Sequence, residues 1–384
     1  MVKIILTIVF RIFRIFKRRP CILFESIPDY SDNTMSVFEE MVRRGFDKKY
    51  DLVWLRSRDG TIPAGMERYP SVNFTQKVGW YLFRFYRVYA TCIICCNHYI
   101  SSCNPHISQN KKNCLVFYLG HGTPFKSLAG RYEAPGFIDY FLVPSECTIP
   151  IFSREFDVDA AKIFALGYPR NDDLLKDRIN LNSIFETDAT KFVVWYPTFR
   201  QQIGCAKKTH GSSLPLIHDP EIAVELNEFA RQRKIFLILK PHFAQDISYI
   251  TRLKLSNICF IDDEFFPQHQ ISSYRFVGSC DALITDYSSV MFDFLLLNRP
   301  IALIWEDIEE YRKYPGIALE TERHLDFASK IYTLSDLKEF LHDLCIGEDK
   351  FGAQRNAANK FFNYSSDTCN SSRVVDFIVE KAKL

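Results

Sequence analysis

The sequence has no G-x-x-x-x-G-K-[ST] loop and no G-x-G-x-x-G turn, so the signatures of a P-loop NTPase and of a dinucleotide-dependent dehydrogenase are both missing. Nor is there a surplus of either charge. Lys and Arg number 48 against 46 Asp and Glu, a net charge of +2, which leaves no global field to draw the chain onto nucleic acid. No apolar run approaches the roughly 20 residues that a membrane-spanning helix needs. The uncharged stretch Ile4–Phe10 falls well short, and no small-residue cleavage site follows it as a secretory signal requires. Cysteine is present 12 times, yet metal spacing is lacking: Cys92, Cys95 and Cys96 lie in the apolar run Thr91–Cys96, and no second pair follows. Buried, reduced thiols of a cytosolic protein are expected, with a zinc site as the alternative. The chain also lacks a carboxylate cluster, an internal repeat and a low-complexity tract.

What is present is enough for two cores. A chain of 384 residues exceeds one ordinary domain, and apolar and charged fractions of 47% and 24% are those of a soluble globular protein. The aromatic content is high, with 34 Phe and 19 Tyr. Two segments set apolar residues beside cations. Over Met1–Arg19, the basic residues Lys3, Arg11, Arg14 and Arg18 fall with Thr7 on one helical stripe opposite a broad apolar face. That pattern suits a helix lying in the surface of an anionic membrane; a basic-edged helix packed on the domain is the alternative. Over Lys77–Tyr89, Trp80, Tyr81, Phe83, Phe85, Tyr86 and Tyr89 are interleaved with Lys77, Arg84 and Arg87. Membrane headgroups or core packing would use this segment, and the neutral charge balance disfavours stacking on nucleic-acid bases.

Strand patterns alternate with helical ones, the mark of βαβ units and mainly parallel sheets. In the first half, Ile22–Phe24, Tyr50–Leu55, Thr91–Cys96, Cys114–Leu119 and Phe141–Val143 read as strands, with a helix at about Met35–Arg44. In the second half, Phe192–Tyr196, Ile235–Leu239, Ile258–Ile261, Ala282–Thr285 and Ile301–Trp305 do so, with helices at about Glu221–Gln232, Val290–Leu297 and Lys350–Phe362. The expected fold is α/β: two Rossmann-like domains whose sheets face a cleft, behind an N-terminal amphipathic segment. Expected boundaries are 1–20 for that segment, 21–180 and 190–349 for the two domains, and 350–384 for a C-terminal helix packing back on the first domain.

Chemistry concentrates where strands stop. Cys114–Leu119 ends at Gly120-His121-Gly122-Thr123-Pro124-Phe125-Lys126, where the glycines and proline halt the strand and leave an imidazole and a cation at its end. A structural turn is the plain alternative. Further on, Gly167-Tyr168-Pro169 leads to Arg170 and Asn171, Pro197-Thr198-Phe199 to Arg200, and Lys240-Pro241 to His242. Thr285-Asp286-Tyr287-Ser288-Ser289 opens a helix directly after a strand, where hydroxyls and free amides suit a phosphate or act as ordinary N-caps. Together, these strand ends suit a site that binds a nucleoside diphosphate and moves a proton.

The ordered series HGTPFK, GYPRND, PTFR, KPH and DALITDYSSVMFD resembles the CDP-glycerol glycerophosphotransferase family, over roughly Phe117–Pro300, and Glu306–Gly316 looks like the family's continuation. The resemblance implies a GT-B fold and a peripheral enzyme on the cytoplasmic face of the cell membrane. It also implies transfer of an alditol phosphate from CDP-glycerol or CDP-ribitol to a lipid-linked or polysaccharide acceptor, releasing CMP in teichoic acid or capsule synthesis. No metal and no nucleic acid are expected, and a homo-oligomer is left open. By the same resemblance His121 is the general base and His242 steadies the leaving CMP. Thr198, Arg200, Lys240, Thr285, Asp286, Ser288 and Ser289 would meet the donor, while Gly122, Thr123, Lys126, Arg170 and Asn171 would lie on the acceptor side. The chain departs from the family where Gly120 replaces a usual Trp and Gln201 a common Asp. A GT-B glycosyltransferase using a CMP- or CDP-sugar, and a membrane-docked module without activity, are the competing readings.

Overall fold

The computed structural model describes residues 19–56, 62–73, 91–97, 114–128, 133–198, 214–241, 247–319 and 325–384. Lys3, Arg11, Arg14 and Arg18, the segment Lys77–Tyr89, Arg200 and His242 lie outside the described residues. The chain divides into two compact units: Met1–His121, Tyr132–Asp172 and Asp367–Leu384 form unit 1, and Gly122–Arg131 with Asp173–Ser366 form unit 2.

Unit 1 is built on a seven-stranded sheet in the order β3-β2-β1-β4-β5-β6-β7. The strands are β1 Cys21–Glu25, β2 Asp51–Arg56, β3 Ser71–Asn73, β4 Thr91–Cys96, β5 Leu115–Tyr118, β6 Tyr140–Val143 and β7 Ile163–Ala165. Every pairing between them is parallel. All five residues of β1 are buried, the apolar run Cys21–Phe24 and then Glu25, as expected of a parallel strand covered on both faces. Sequence order runs outward in both directions from the β1–β4 pair, so the sheet's topological switch lies there, the place where such sheets open a crevice at their carboxyl edge. The helix Asp32–Arg43 follows β1 and sets Phe38 edge-on to Phe24 at 5.1 Å and to Trp54 at 5.4 Å. Burial pushes the Cys95 thiol in β4 well above its ordinary pKa, which makes it an inert packing group.

The last helix, Asn370–Ala382, completes this core with Val374, Val375 and Ile378, all fully buried. Asp172 fixes its start: one carboxylate oxygen accepts from Asn370 N at 2.9 Å and the other from Ser371 N at 2.7 Å, at the positive end of the helix dipole. The expected segment 350–384 therefore divides. Residues 367–384 belong to unit 1, but Gly352–Phe362 stays in unit 2, where Phe362 packs 4.2 Å from Phe292 and Asn363 Nδ2 donates to Phe292 O at 2.8 Å.

Unit 2 has a six-stranded sheet in the order β10-β9-β8-β11-β12-β13. Its strands are β8 Lys191–Tyr196, β9 Ile235–Leu239, β10 Ile258–Phe260, β11 Ala282–Thr285, β12 Ile301–Ile304 and β13 Ser329–Ile331, again all parallel. Its switch falls between β8 and β11. The stretch 122–131, placed by sequence in the first domain, is part of this unit. The reason is local pairing and stacking: Phe125 O accepts from Ala318 N at 2.8 Å, Ser127 N donates to Gly316 O at 3.0 Å, and the Phe125 ring stacks on Tyr287 at 6.2 Å. Among the described residues, no helix is long and apolar enough to cross a membrane, and no group of three or more His, Cys, Asp or Glu could hold a metal ion.

Candidate active site

In unit 1 the site begins where β5 stops. Gly120 has φ +77, and a Cβ there would lie 2.4 Å from Tyr168 Cε1 and 2.9 Å from Leu142 O. Only glycine fits, and it turns the chain so that the His121 imidazole stands 54% exposed. His121 Nδ1 is 2.9 Å from Asp32 Oδ2. An ionised carboxylate only accepts, so Nδ1 carries the proton and Nε2 is the unprotonated nitrogen of the neutral ring.

Asp32 itself is largely shielded, its side chain 9% exposed, and is held from its other side, with Oδ1 accepting from Arg170 Nη1 at 2.7 Å. Burial alone would raise its pKa; the Arg170 charge and the hydrogen bond from His121 outweigh burial and hold the carboxyl far below the usual carboxylate range. Asn33 is fully buried and fixes the frame around this group. Its Nδ2 donates to Leu119 O at 3.0 Å and Gly120 O at 2.9 Å, and its Oδ1 accepts from Arg170 N at 3.1 Å. One residue thus joins the helix after β1, the end of β5 and the loop after β7. Arg170 and Asn171, expected on the acceptor side, are both buried, and the Arg170 guanidinium lies against Asp32. Neither Asp32 nor Asn33 stands out in the sequence, where Ser31-Asp32-Asn33 reads as an ordinary helix start. The available signal is topological, a polar stretch at the carboxyl end of a central strand.

In unit 2 the predicted donor-side residues take two kinds of place. Asp286 is buried, and its carboxylate accepts from Thr198 N at 2.9 and 3.0 Å and from Tyr287 N at 2.5 Å. Thr285 Oγ1 donates to Tyr196 O at 2.7 Å. Thr285 and Asp286 therefore lock the end of β11 to the end of β8. Ser288 and Ser289 are only half-buried, just before the short helix Val290–Phe294. Lys240 Nζ pairs with Asp263 Oδ1 at 2.7 Å and lies 5.9 Å from the Tyr196 ring. Thr123 is buried, whereas Lys126 is half-buried and forms an antiparallel bridge with Ile317. Beside them, Tyr287 stacks on Tyr311 at 3.5 Å and donates to Asp307 Oδ1 at 2.8 Å, while His218 Nε2 lies 3.0 Å from Glu306 Oε2. Chemically, unit 1 offers an oriented imidazole, and unit 2 offers hydroxyls and a lysine at its strand ends.

Residues 7–380 match the profile of the family described as CDP-glycerol:poly(glycerophosphate) glycerophosphotransferase. The chain belongs to this family. Among its relatives, a teichoic acid poly(glycerol phosphate) polymerase of Staphylococcus epidermidis is 27% identical over 322 residues, covering 76% of this chain and 41% of the relative. A teichoic acid ribitol-phosphate primase of Bacillus spizizenii is 26% identical over 257 residues, covering 62% of this chain and 59% of the relative. The chain thus spans less than two thirds of the length of either. A solved structure of the wall teichoic acid polymerase TagF superposes with a TM-score of 0.72 at 22% identity, covering 95% of this chain and 90% of that one, so the two share a fold.

Proposed function

We propose that this chain transfers glycerol phosphate, or a related alditol phosphate, from a CDP-alditol to a hydroxyl of a lipid-linked or polysaccharide acceptor in cell-envelope polymer synthesis. Family membership supports this class of reaction. The observation that carries the chemistry is the half-exposed His121 imidazole, tied through Nδ1 to the largely shielded carboxylate of Asp32. In the proposed step His121 Nε2 takes the proton of the acceptor hydroxyl as its oxygen attacks the phosphorus that bears the alditol. The bond from that phosphorus to the bridging oxygen breaks, and CMP leaves with the bridging oxygen and its electron pair. Ser288, Ser289, Lys126, Lys240 and Arg200 are proposed to offset the charge that develops on phosphate, and His242 to steady the departing CMP. Lys240 would reach a phosphate by exchanging its present partner, Asp263.

Incubating the purified protein with CDP-glycerol or CDP-ribitol and a lipid-linked acceptor should release CMP, and His121→Ala should slow release by about 10²–10⁴-fold. Absence of CMP from both donors, or an unimpaired His121→Ala variant, would overturn the proposal. We further propose a GT-B-type enzyme that docks peripherally on the cytoplasmic membrane face through residues 1–20. The support is the basic stripe Lys3, Arg11, Arg14 and Arg18 opposite an apolar face. Deleting Met1–Arg19 should weaken sedimentation with anionic phospholipid vesicles at low salt, and unchanged sedimentation would count against docking.

A further inference from the structure

We infer that Asp32 is the positioning residue for His121, holding the imidazole in the tautomer whose Nε2 accepts the proton, and that Arg170 holds Asp32 in turn. This rests on the general-base role proposed for His121. The two oxygens of the carboxylate have separate partners. Oδ2 takes the His121 Nδ1–H at 2.9 Å, and Oδ1 takes Arg170 Nη1 at 2.7 Å. Arg170 reaches His121 as well, with Nη1 3.4 Å from the His121 carbonyl oxygen. The guanidinium is backed by Tyr168, whose ring centroid lies 5.1 Å from Arg170 Cζ and whose edge fills the space above Gly120.

Asp32 is built into this place at a cost. It occupies the left-handed region at φ +62, where a side chain with a Cβ is disfavoured, at the first position of the helix Asp32–Arg43. Asn33, bonded to the carbonyls of Leu119 and Gly120, keeps that helix start in register with the end of β5. The carboxylate is therefore fixed relative to the imidazole by the buried Asn33 side chain, which ties the helix start to the backbone at the end of β5. A neutral His121 is thereby kept with its proton on Nδ1, and the imidazolium formed after proton abstraction faces an anion already in place. Because Arg170 neutralises the other carboxylate oxygen, Asp32 acts more by orientation than by adding net negative charge.

The test uses the full chain labelled with 15N-histidine, at a pH of about 8.5, above the ordinary imidazole range. The His121 signals are identified by their loss in His121→Ala. The wild type should show the Nδ1-protonated tautomer, and Asp32→Asn should shift it toward Nε2–H. In the CMP-release assay Asp32→Asn should lower kcat by about 10²–10⁴-fold and leave KM for CDP-glycerol within about twofold. In a His121→Ala background the same substitution should change the rate by no more than about twofold, because its target is gone. An Nε2-protonated His121 in the wild type would overturn the inference, as would an equal loss in both backgrounds. Since Asp32→Asn leaves Arg170 buried without its anion, the variant Asp32→Asn with Arg170→Met removes both charges. It too should lose the tautomer preference; wild-type tautomer and kcat in that folded variant would also refute the assignment. The tautomer measurement needs no substrate, so it stands even if neither CDP-alditol is turned over.

Discussion

At position 120 a single hydrogen atom in place of a methyl group decides how the β5 strand ends. The backbone sits at φ +77, which costs a residue with a Cβ about 1–2 kcal/mol, and the methyl of alanine would overlap Tyr168 Cε1 at 2.4 Å. Tyr168 is fully buried and supports Arg170, so it has little freedom to give way. Gly120→Ala should therefore destabilise by the conformational amount plus about 1–3 kcal/mol for overpacking, read as a lower urea midpoint with unchanged slope. Gly65→Ala is the internal control. Gly65 has a similar φ of +83 with nothing within 4 Å of its Cβ position, so it should show the conformational cost alone. Equal losses at the two sites would mean that the Tyr168 contact relaxes freely. The same residue scale marks the limit of what can be read from the sequence. The turn at Gly120-His121-Gly122 announces itself through glycine and proline chemistry, whereas the carboxylate that meets His121 lies 89 residues earlier in the chain. No local pattern links them. Asp286 shows the converse: its place before two serines suggests phosphate contact, but its carboxylate is engaged by the backbone amides of Thr198 and Tyr287.

Among the elements, legibility follows burial. β1, β4, β8, β9 and β11 are runs of apolar residues buried on both sheet faces, and each coincides within a residue or two with its expected span. The three-residue strands β3 and β13, Ser-Val-Asn and Ser-Lys-Ile, lie at the sheet edges and carry too few apolar residues to stand out from loop sequence. The helix Asn370–Ala382 reads as a tail because its apolar residues Val374, Val375, Phe377, Ile378 and Val379 form one short cluster flanked by Ser, Arg, Glu and Lys, too brief to display a helical period. Its place in unit 1 depends on Asp172, nearly 200 residues earlier, whose carboxylate receives its first amides. The reassignment of 122–131 has the same origin. Phe125 belongs with Tyr287 and Ala318 because of partners that lie far along the chain, and sequence proximity to β5 says nothing of them.

For the whole chain, the helix Asn370–Ala382 makes the first unit depend on residues far along the chain from its first strands. Val374, Val375 and Ile378 complete a core containing Ile22, Phe24, Phe38 and Met41. Burying each of these three aliphatic side chains contributes about 1.5–3 kcal/mol, so together they approach the total stability of a typical domain. Deleting residues 367–384 should consequently open unit 1, while residues 173–366 keep all of the strands β8 to β13 and their pairings. Hydrogen exchange would report this as lost amide protection in β1, β4 and β5 with protection retained in β8, β9 and β11. Retained protection in β1 would show that the sheet holds without its helix. The deletion also removes the partner of Asp172, two residues beyond the Arg170 that clamps Asp32. CMP release should therefore fall with the deletion even in any fraction of the protein whose first sheet survives, because the loop that carries the clamp would lose its anchor.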